Sequence, residues 1–295
     1  MARAALTLLT ALVGGCAIIP LEPDPPERAE TLTAMTFNVR HDNGLPSNDA
    51  NAWLHPDHPR RDAAIATVLD ASPAILGVQE ALWNQILDLE DALLPRYRWD
   101  GVGRDDGERA GEFCAVFWRN DLYERTAGGT FWLSLEPGEP GSVYPGAATT
   151  RIATWVELQE RNTGRFVTVF NTHWDHVSQD ARTHAAALIV QELDIIAPSP
   201  RARIVLGDLN LPEDNAAFST LLNGGALTDA YREVHEEHDD EATFHGFGGG
   251  VTGRRIDHVL PSAGFFTVDD AYIVRDEGPG GFPSDHFPVV TELRW

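Results

Sequence analysis

The residues of this chain that could do chemistry are carboxylates, carboxamides and histidines, and they recur in one kind of place. IVLGDLN, residues 204–210, runs three apolar residues into Gly207, Asp208, Leu209 and Asn210. An apolar run leading into glycine is how a strand of a covered sheet emerges into a loop. Two residues apart in extended chain, Asp208 and Asn210 share one face, so an acidic acceptor and a neutral amide can point into one pocket. On its own the pair reads better as the start of a turn than as a site, because both residues are common turn formers. The same residue types return, however: Asn38 near the end of TLTAMTFNVR, Glu80 at the end of PAILGVQE, His173 within NTHWDH, Asp257 in RRIDHVL, and Asp285 and His286 just before FPVV. Each lies at or beside an end of a predicted strand, where side chains from distant segments meet at one sheet edge. Oxygen donors with few thiols suit a hard ion such as Mg²⁺ better than zinc. A histidine beside an aspartate can donate or accept a proton near neutral pH, or lend positive charge to a phosphoryl transition state.

The elements that must hold these groups are legible in the periodicity. Residues 31–40 alternate as a strand, and residues 59–70 carry apolar positions at helical spacing, with Asp57 and His58 as caps. A buried strand over 73–80 and a helix over 82–93 follow, the latter ended by Pro95. YRWDGVGRDDG and GEFCAVFW read as strands of one sheet, and Glu112 stands just ahead of the second. PGEPGSVYPG is loop, since its prolines and glycines cannot hold a ladder. Arg151 opens the strand RIATWVEL, and RFVTVFNTHWDH is a strong β run. Ser178 caps a helix whose apolar residues run from Ala181 to Ile196 at a 3.6-residue period. The segment 231–250 begins as a solvated acidic run containing His235 and His238 and ends in TFHGFGGG. RRIDHVL, FFTVDDAYIV and SDHFPVVTEL supply the last strands. Short strands with fewer helices predict an α/β (α+β) domain: a four-layer sandwich of two packed mixed β-sheets with helices on the outer faces.

A chain of 295 residues is long enough for one large domain, and no linker interrupts its middle. Its net charge of -23 repels long polyanions, which disfavours extended nucleic acid as a partner. At the N-terminus, Arg3, an apolar run from Ala4 to Val13 and small residues before Cys16 fit an export signal over 1–15 and are too short to span a bilayer. The VGGC ending resembles the lipobox of bacterial lipoproteins, which would anchor the chain to an envelope membrane through a lipidated Cys16; plain secretion is the alternative. Residues 16–30, rich in proline and acid, then form a tether, and the folded domain occupies 31–295. Cys114 has no intrachain partner in that case, and no structural disulfide is expected.

Taken in order, FNVR, QE, GEFCAVFW, RIA, NTHWDH, GDLN, RIDHV and SDHFPV resemble the endonuclease/exonuclease/phosphatase superfamily, which includes deoxyribonucleases, inositol polyphosphate phosphatases, sphingomyelinases and deadenylases. The resemblance covers nearly all of residues 31–295, and it is the ordered set that is specific. It implies Mg²⁺, with Mn²⁺ as the alternative ion, held chiefly by Glu80 with Asn38 beside it and Asp285 nearby. It further implies that Asp208 activates the attacking water, that Asn210 and Arg151 hold the phosphate, and that His286 contacts it with Asp257 as orienting partner. His173 would be the second phosphate-side histidine, supported by Glu112.

The sequence departs from the nuclease members in its charge: between Asp208 and Asp257 it has three arginines and no lysine. NTHWDH and TFHGF look more like a bacterial branch of the superfamily, and Trp174 or Phe247 could stack on a sugar or lipid-like leaving group or else pack in the core. Three readings follow. The first is a monomeric hydrolase of small-molecule, lipid or sugar phosphodiesters or phosphomonoesters. The second is an extracytoplasmic nuclease with a local basic groove. The third is a non-enzymatic surface binding protein on the same scaffold. His176 reads as a loop residue or as a substrate contact.

Overall fold

The computed structural model describes residues 31–42, 44, 49, 51–57, 59–278 and 280–295. The export signal, Cys16 and the tether lie outside the described residues, as does His58.

Two sheets form because two sets of alternating strands each have two apolar faces to bury. The first sheet has six strands in the order β10-β11-β1-β2-β4-β3. They are β1 (Thr31–Asn38), β2 (Ile75–Ala81), β3 (Tyr97–Asp100), β4 (Phe113–Arg119), β10 (Thr267–Ile273) and β11 (Val289–Arg294). The second runs β5-β6-β7-β8-β9, from β5 (Tyr123–Trp132) through β6 (Ile152–Glu160), β7 (Phe166–His173) and β8 (Ala202–Asp208) to β9 (Asp257–Pro261). Both are mixed: β1 with β2 and β7 with β8 are parallel, and the other pairs are antiparallel.

Odd and even residues of each strand go to different layers, as a period of two requires. Leu32, Ala34, Ile75, Val167, Val169, Ile204 and Leu206 face the space between the sheets. Met35, Phe37, Leu76 and Val78 point outward onto α1 (Arg60–Ala71) and α2 (Trp83–Leu93). On the far side Phe170, Val205 and Leu260 pack with α3 (Gln179–Ile196) and α4 (Ala216–Gly225). The chain is therefore the expected four-layer sandwich.

A few details differ from the sequence reading. Pro59 rather than Asp57 occupies the α1 N-cap, and no side chain bonds there; a proline with β-region backbone can end the extended entry without a side-chain acceptor. Ser178 does cap α3, accepting from the Ala181 N–H at 3.2 Å. Helix α4 and the short α5 (Ala230–Val234) went unread, because Gly224, Gly225 and flanking acids hide their short periods.

In the interior a buried amide ties one sheet to the other. Asn171 of β7 donates from Nδ2 to the Val78 and Ala115 carbonyls of the first sheet, at 2.9 and 2.8 Å, and its Oδ1 accepts from Gln79 at 2.6 Å. Gly77 gives it room, since a Cβ there would lie 1.9 Å from Leu206 Cδ1 and 2.9 Å from Asn171. Asn171→Leu should lose these bonds inside a dry core at a cost of about 2–4 kcal/mol, read as a lower urea midpoint with unchanged m; an unchanged midpoint would refute this role.

Candidate active site

Strand direction brings the polar residues together. The parallel strands β1 and β2, and β7 and β8, end at the same edge with Asn38, Glu80, His173 and Asp208. Their antiparallel neighbours begin there: β4 just after Glu112, β6 just after Arg151, β9 at Asp257 and β11 just after Asp285 and His286. Register completes the meeting, with His173 beside Asp208 and Asp208 opposite Asp257. Of the ten residues singled out from the sequence, eight line a single cleft of about 510 Å³, and Asn38 and Asp257 stand directly behind its wall.

Asn38 is the junction of the two sheets' carboxylates. Its Nδ2 donates to Glu80 Oε1 and to Asp208 Oδ2, both at 3.0 Å. Its main-chain carbonyl accepts from Ser284 Oγ at 2.6 Å, which seats the Asp285–His286 segment beside it. His286 places Nδ1 2.9 Å from Asp257 Oδ2 and Nε2 3.7 Å from Asp208 Oδ2. Burial alone would strip its proton, but the Asp257 and Asp208 carboxylates outweigh burial and raise the imidazole to about 10. Burial, and then the charge of Asp257, push the Asp208 carboxyl up to about 7. His173 differs: burial first and Arg151 next hold it well below the ordinary imidazole value, so it is neutral. Two histidines on one cleft thus carry different charges for identifiable reasons.

The backbone is strained where these groups turn inward. Arg40, Glu80 and Asn210 have φ of 56°, 64° and 49°, a region that asparagine tolerates and glutamate and arginine rarely enter. Glu80 is also the extra residue of a bulge, since Gln79 pairs with Cys114 and Ala81 with Phe113. A bulge re-aims one side chain out of strand alternation. Here it turns the Glu80 carboxylate into the cleft.

The walls differ in character. On one side Glu80 Oε2 accepts from His41 Nδ1 at 2.9 Å and Arg40 Nη1 at 3.3 Å, and Arg40 Nε lies 3.6 Å from Asp285 Oδ2. On the other, Arg151 is buried with its Nη2 3.0 Å from His176 Nδ1 and its Nε without a partner. His173 Nδ1 is likewise buried and unpartnered. A buried guanidinium facing a cleft without a paired carboxylate is suited to an anionic oxygen.

Where an ion would sit follows from the donors. Asp208, Asp257 and His286 offer ligand atoms within 4.8 Å of one another. His286, however, is bonded to Asp257 and protonated, so that trio is better built to handle protons. Glu80 and Asp285 are hard oxygen donors already drawn to one cation, the Arg40 guanidinium, and a divalent ion fits that pair.

Some groups lie elsewhere than the sequence reading placed them. Glu112 is not bonded to His173: its Oε2 accepts from Arg104 Nη1 at 2.6 Å, and His173 Nδ1 has no partner. Of the two readings open for Trp174, it is core packing that the structure shows, with the ring fully buried against α3, and Phe247 does not line the cleft. The exposed aromatic at the mouth is instead Phe244, 52% accessible, with its ring 5.1 Å from that of His286. His176 lines the cleft. Arg60, the first residue of α1, has a role beyond that helix. Its buried guanidinium donates to the carbonyls of Val39, Arg40 at 2.9 Å, Asn51 at 3.1 Å and Pro283 at 3.0 Å, stapling the segments on either side of Asn38 and Asp285. Nothing in its spacing marks it; only its position after Pro59 at a helix start hints that it faces the preceding loop.

A two-sheet sandwich with an acid-, histidine- and arginine-lined cleft at one sheet edge has the architecture of a phosphoesterase. The model of the Endonuclease/Exonuclease/phosphatase family matches residues 35–286, and the chain belongs to that family. A solved endonuclease/exonuclease/phosphatase from Bacteroides vulgatus is 34% identical, covering 90% of this chain and 98% of that one with a TM-score of 0.81. A mannosyl-6-phosphatase from Bacteroides thetaiotaomicron VPI-5482 is 31% identical, covering 90% and 100%, with a TM-score of 0.82. The human Nocturnin catalytic domain, 16% identical over 90% and 94%, shares the fold with a TM-score of 0.66. A comparison with the curated proteins finds no match.

Removing the charge behind His286 tests the electrostatics. In the metal-free protein Asp257→Asn should drop the His286 pKa from about 10 toward or below the free-imidazole value of ~6.5, followed by NMR titration of the ring. A ring that still titrates near 10 would show that Asp257 is not what holds its proton.

Proposed function

We propose that the chain is a divalent-metal-dependent phosphoesterase of small substrates, hydrolysing a phosphodiester or phosphomonoester of a sugar, headgroup or other small molecule. The observation that carries this is the cleft itself: Asp208 is buried between a cationic and a neutral histidine, with an acidic wall on one side and the uncompensated Arg151 on the other. Asp208 takes up a proton from water as its oxygen attacks phosphorus and the bond to the leaving oxygen breaks. A carboxyl raised to about 7 is matched to that task near neutral pH. His286, fixed by Asp257, brings positive charge to the phosphoryl oxygens, and Arg151, His173 and Asn210 hold them. Asn210 is anchored for this, with its N–H on Asp208 Oδ1 at 2.9 Å and its Nδ2 on the Trp174 carbonyl at 3.0 Å. Glu80 and Asp285, with Asn38 behind, would hold Mg²⁺ or Mn²⁺, which when bound supplies further neutralisation of phosphoryl charge.

Small substrates are favoured over nucleic acid by what the arginines do. Arg232 pairs with Glu213 and Glu241, Arg254 with Glu213 and Glu237, and Arg255 with Glu213 and Asp229. The three cations between Asp208 and Asp257 are thus engaged with carboxylates rather than laid out for a phosphate backbone. The mannosyl-6-phosphatase neighbour supports a sugar phosphate, with Phe244 placed to lie against a sugar face. Attachment to an envelope membrane through Cys16 rests on the sequence alone, and we propose it on that basis.

Release of phosphate from mannose 6-phosphate and of nitrophenol from a matched nitrophenyl monoester and diester, each with Mg²⁺, Mn²⁺ or chelator, tests the reading. Metal-dependent turnover is expected, rising with pH through about 7 as Asp208 loses its proton, and falling by at least ~10²-fold in Asp208→Ala and in His286→Ala with smaller changes in KM. Full turnover in either variant would remove the assignment.

A further inference from the structure

The Arg40 side chain occupies the place where the two metal-side carboxylates converge. Its Nη1 lies 3.3 Å from Glu80 Oε2 and its Nε 3.6 Å from Asp285 Oδ2. These acids come from different strands, Glu80 from the bulge of β2 and Asp285 from the segment before β11, and the guanidinium bridges them. The bridge is held from behind. The Arg40 N–H donates to Asn38 Oδ1 at 3.0 Å, and its carbonyl accepts from Gln85 Nε2 at 3.0 Å and Arg60 Nη2 at 2.9 Å. That anchoring keeps a non-glycine residue at a φ of 56°, a conformation retained when surrounding contacts over-determine it. The backbone is fixed, then, while the side chain is partly open to the cleft, 34% accessible. A long side chain on a pinned backbone can leave its two carboxylates without disturbing Asn38.

We propose that Arg40 is a built-in counter-ion for the metal site: it pairs Glu80 with Asp285 until a divalent ion displaces it, and so sets how tightly that ion binds. Glu80 Oε2 also accepts from His41 at 2.9 Å, but of the two side chains only the Arg40 guanidinium, with donors in a fixed planar fork, also reaches Asp285. A divalent ion and the guanidinium compete for the same oxygens, so the ion's apparent affinity is reduced by the stability of the bridge it must break. Arg40 is a positioning residue in this account, and the inference rests on the reading of Glu80 and Asp285 as metal ligands.

Calorimetric titration of the chelator-treated full chain with Mn²⁺ tests it without any turnover. Arg40→Gln, which removes the charge and keeps a polar side chain, should bind Mn²⁺ roughly tenfold more tightly than the parent. Arg40→Lys keeps a single point charge that cannot span both acids and should fall between them. Glu80→Gln should lose most of the binding in either background. Equal or weaker binding by Arg40→Gln, with Glu80→Gln still impaired, would overturn the counter-ion role alone. Unchanged binding in Glu80→Gln would overturn that role together with the metal placement beneath it.

Discussion

The structure depends on a concentration of like charge that water would never assemble. Five carboxylates, Glu80, Glu112, Asp208, Asp257 and Asp285, converge at the seam between two sheets, all buried or nearly so. Burial pushes Glu112, Asp208 and Asp285 toward their neutral forms, and each carboxylate raises the cost of ionising its neighbours. What makes the arrangement tenable is that each has a designated partner. Asn38 divides one amide between Glu80 and Asp208, His286 takes Asp257, Arg104 takes Glu112, and Arg40 spans Glu80 and Asp285. Remove a partner and a buried charge is stranded, which is more damaging than never having had the pair.

Such partnering demands positions fixed to fractions of an ångström, and the fold supplies them from outside the cleft. The Asn171 clamp and the glycine at 77 set the spacing of the sheets. Arg60 ties the loop after β1 to the loop before His286 through four carbonyls. On the opposite flank, Arg255, Asp229 and Glu213 form a buried network beneath the loop that carries Asn210. The cleft is polar, but what orients it is the surrounding packing and main-chain bonding.

This division explains what could be read from the sequence. A residue at a strand end announces itself, because the apolar alternation that precedes it is visible and the turn that follows is not apolar; Asn38, Glu80, His173 and Asp208 are legible in that way. Asp257, Asp285 and His286 stand at or just before the start of strands and are legible by the same logic reversed, whereas the role of Arg151 comes only from the family resemblance. Glu112 was found too, but its partner was misjudged, since contact between segments eight residues apart across a loop leaves no period. Arg40, His41, Arg60 and Arg104 have no pattern of their own. Their roles follow from three-dimensional neighbours, and an arginine reads alike whether it faces solvent or a carboxylate. Trp174 shows the converse: one residue past His173, its ring goes to the opposite side, into the helix-covered core.

The distribution of charge also reconciles a chain of net -23 with the anionic substrate proposed for it. All 22 of its basic residues are arginines, and many are committed to carboxylates in pairs and networks that present little free positive surface. At physiological salt the field of the acidic surface fades over roughly 8 Å. On the proposed reading, a small phosphate inside the cleft would respond mainly to Arg151, the His286 imidazolium and any cation that Glu80 and Asp285 hold. A long polyanion cannot be confined to that radius, because most of its length lies along an acidic exterior. If the substrate is small, as proposed, selection against extended ones would need no steric gate; it would follow from placing the uncompensated cations inside the cleft.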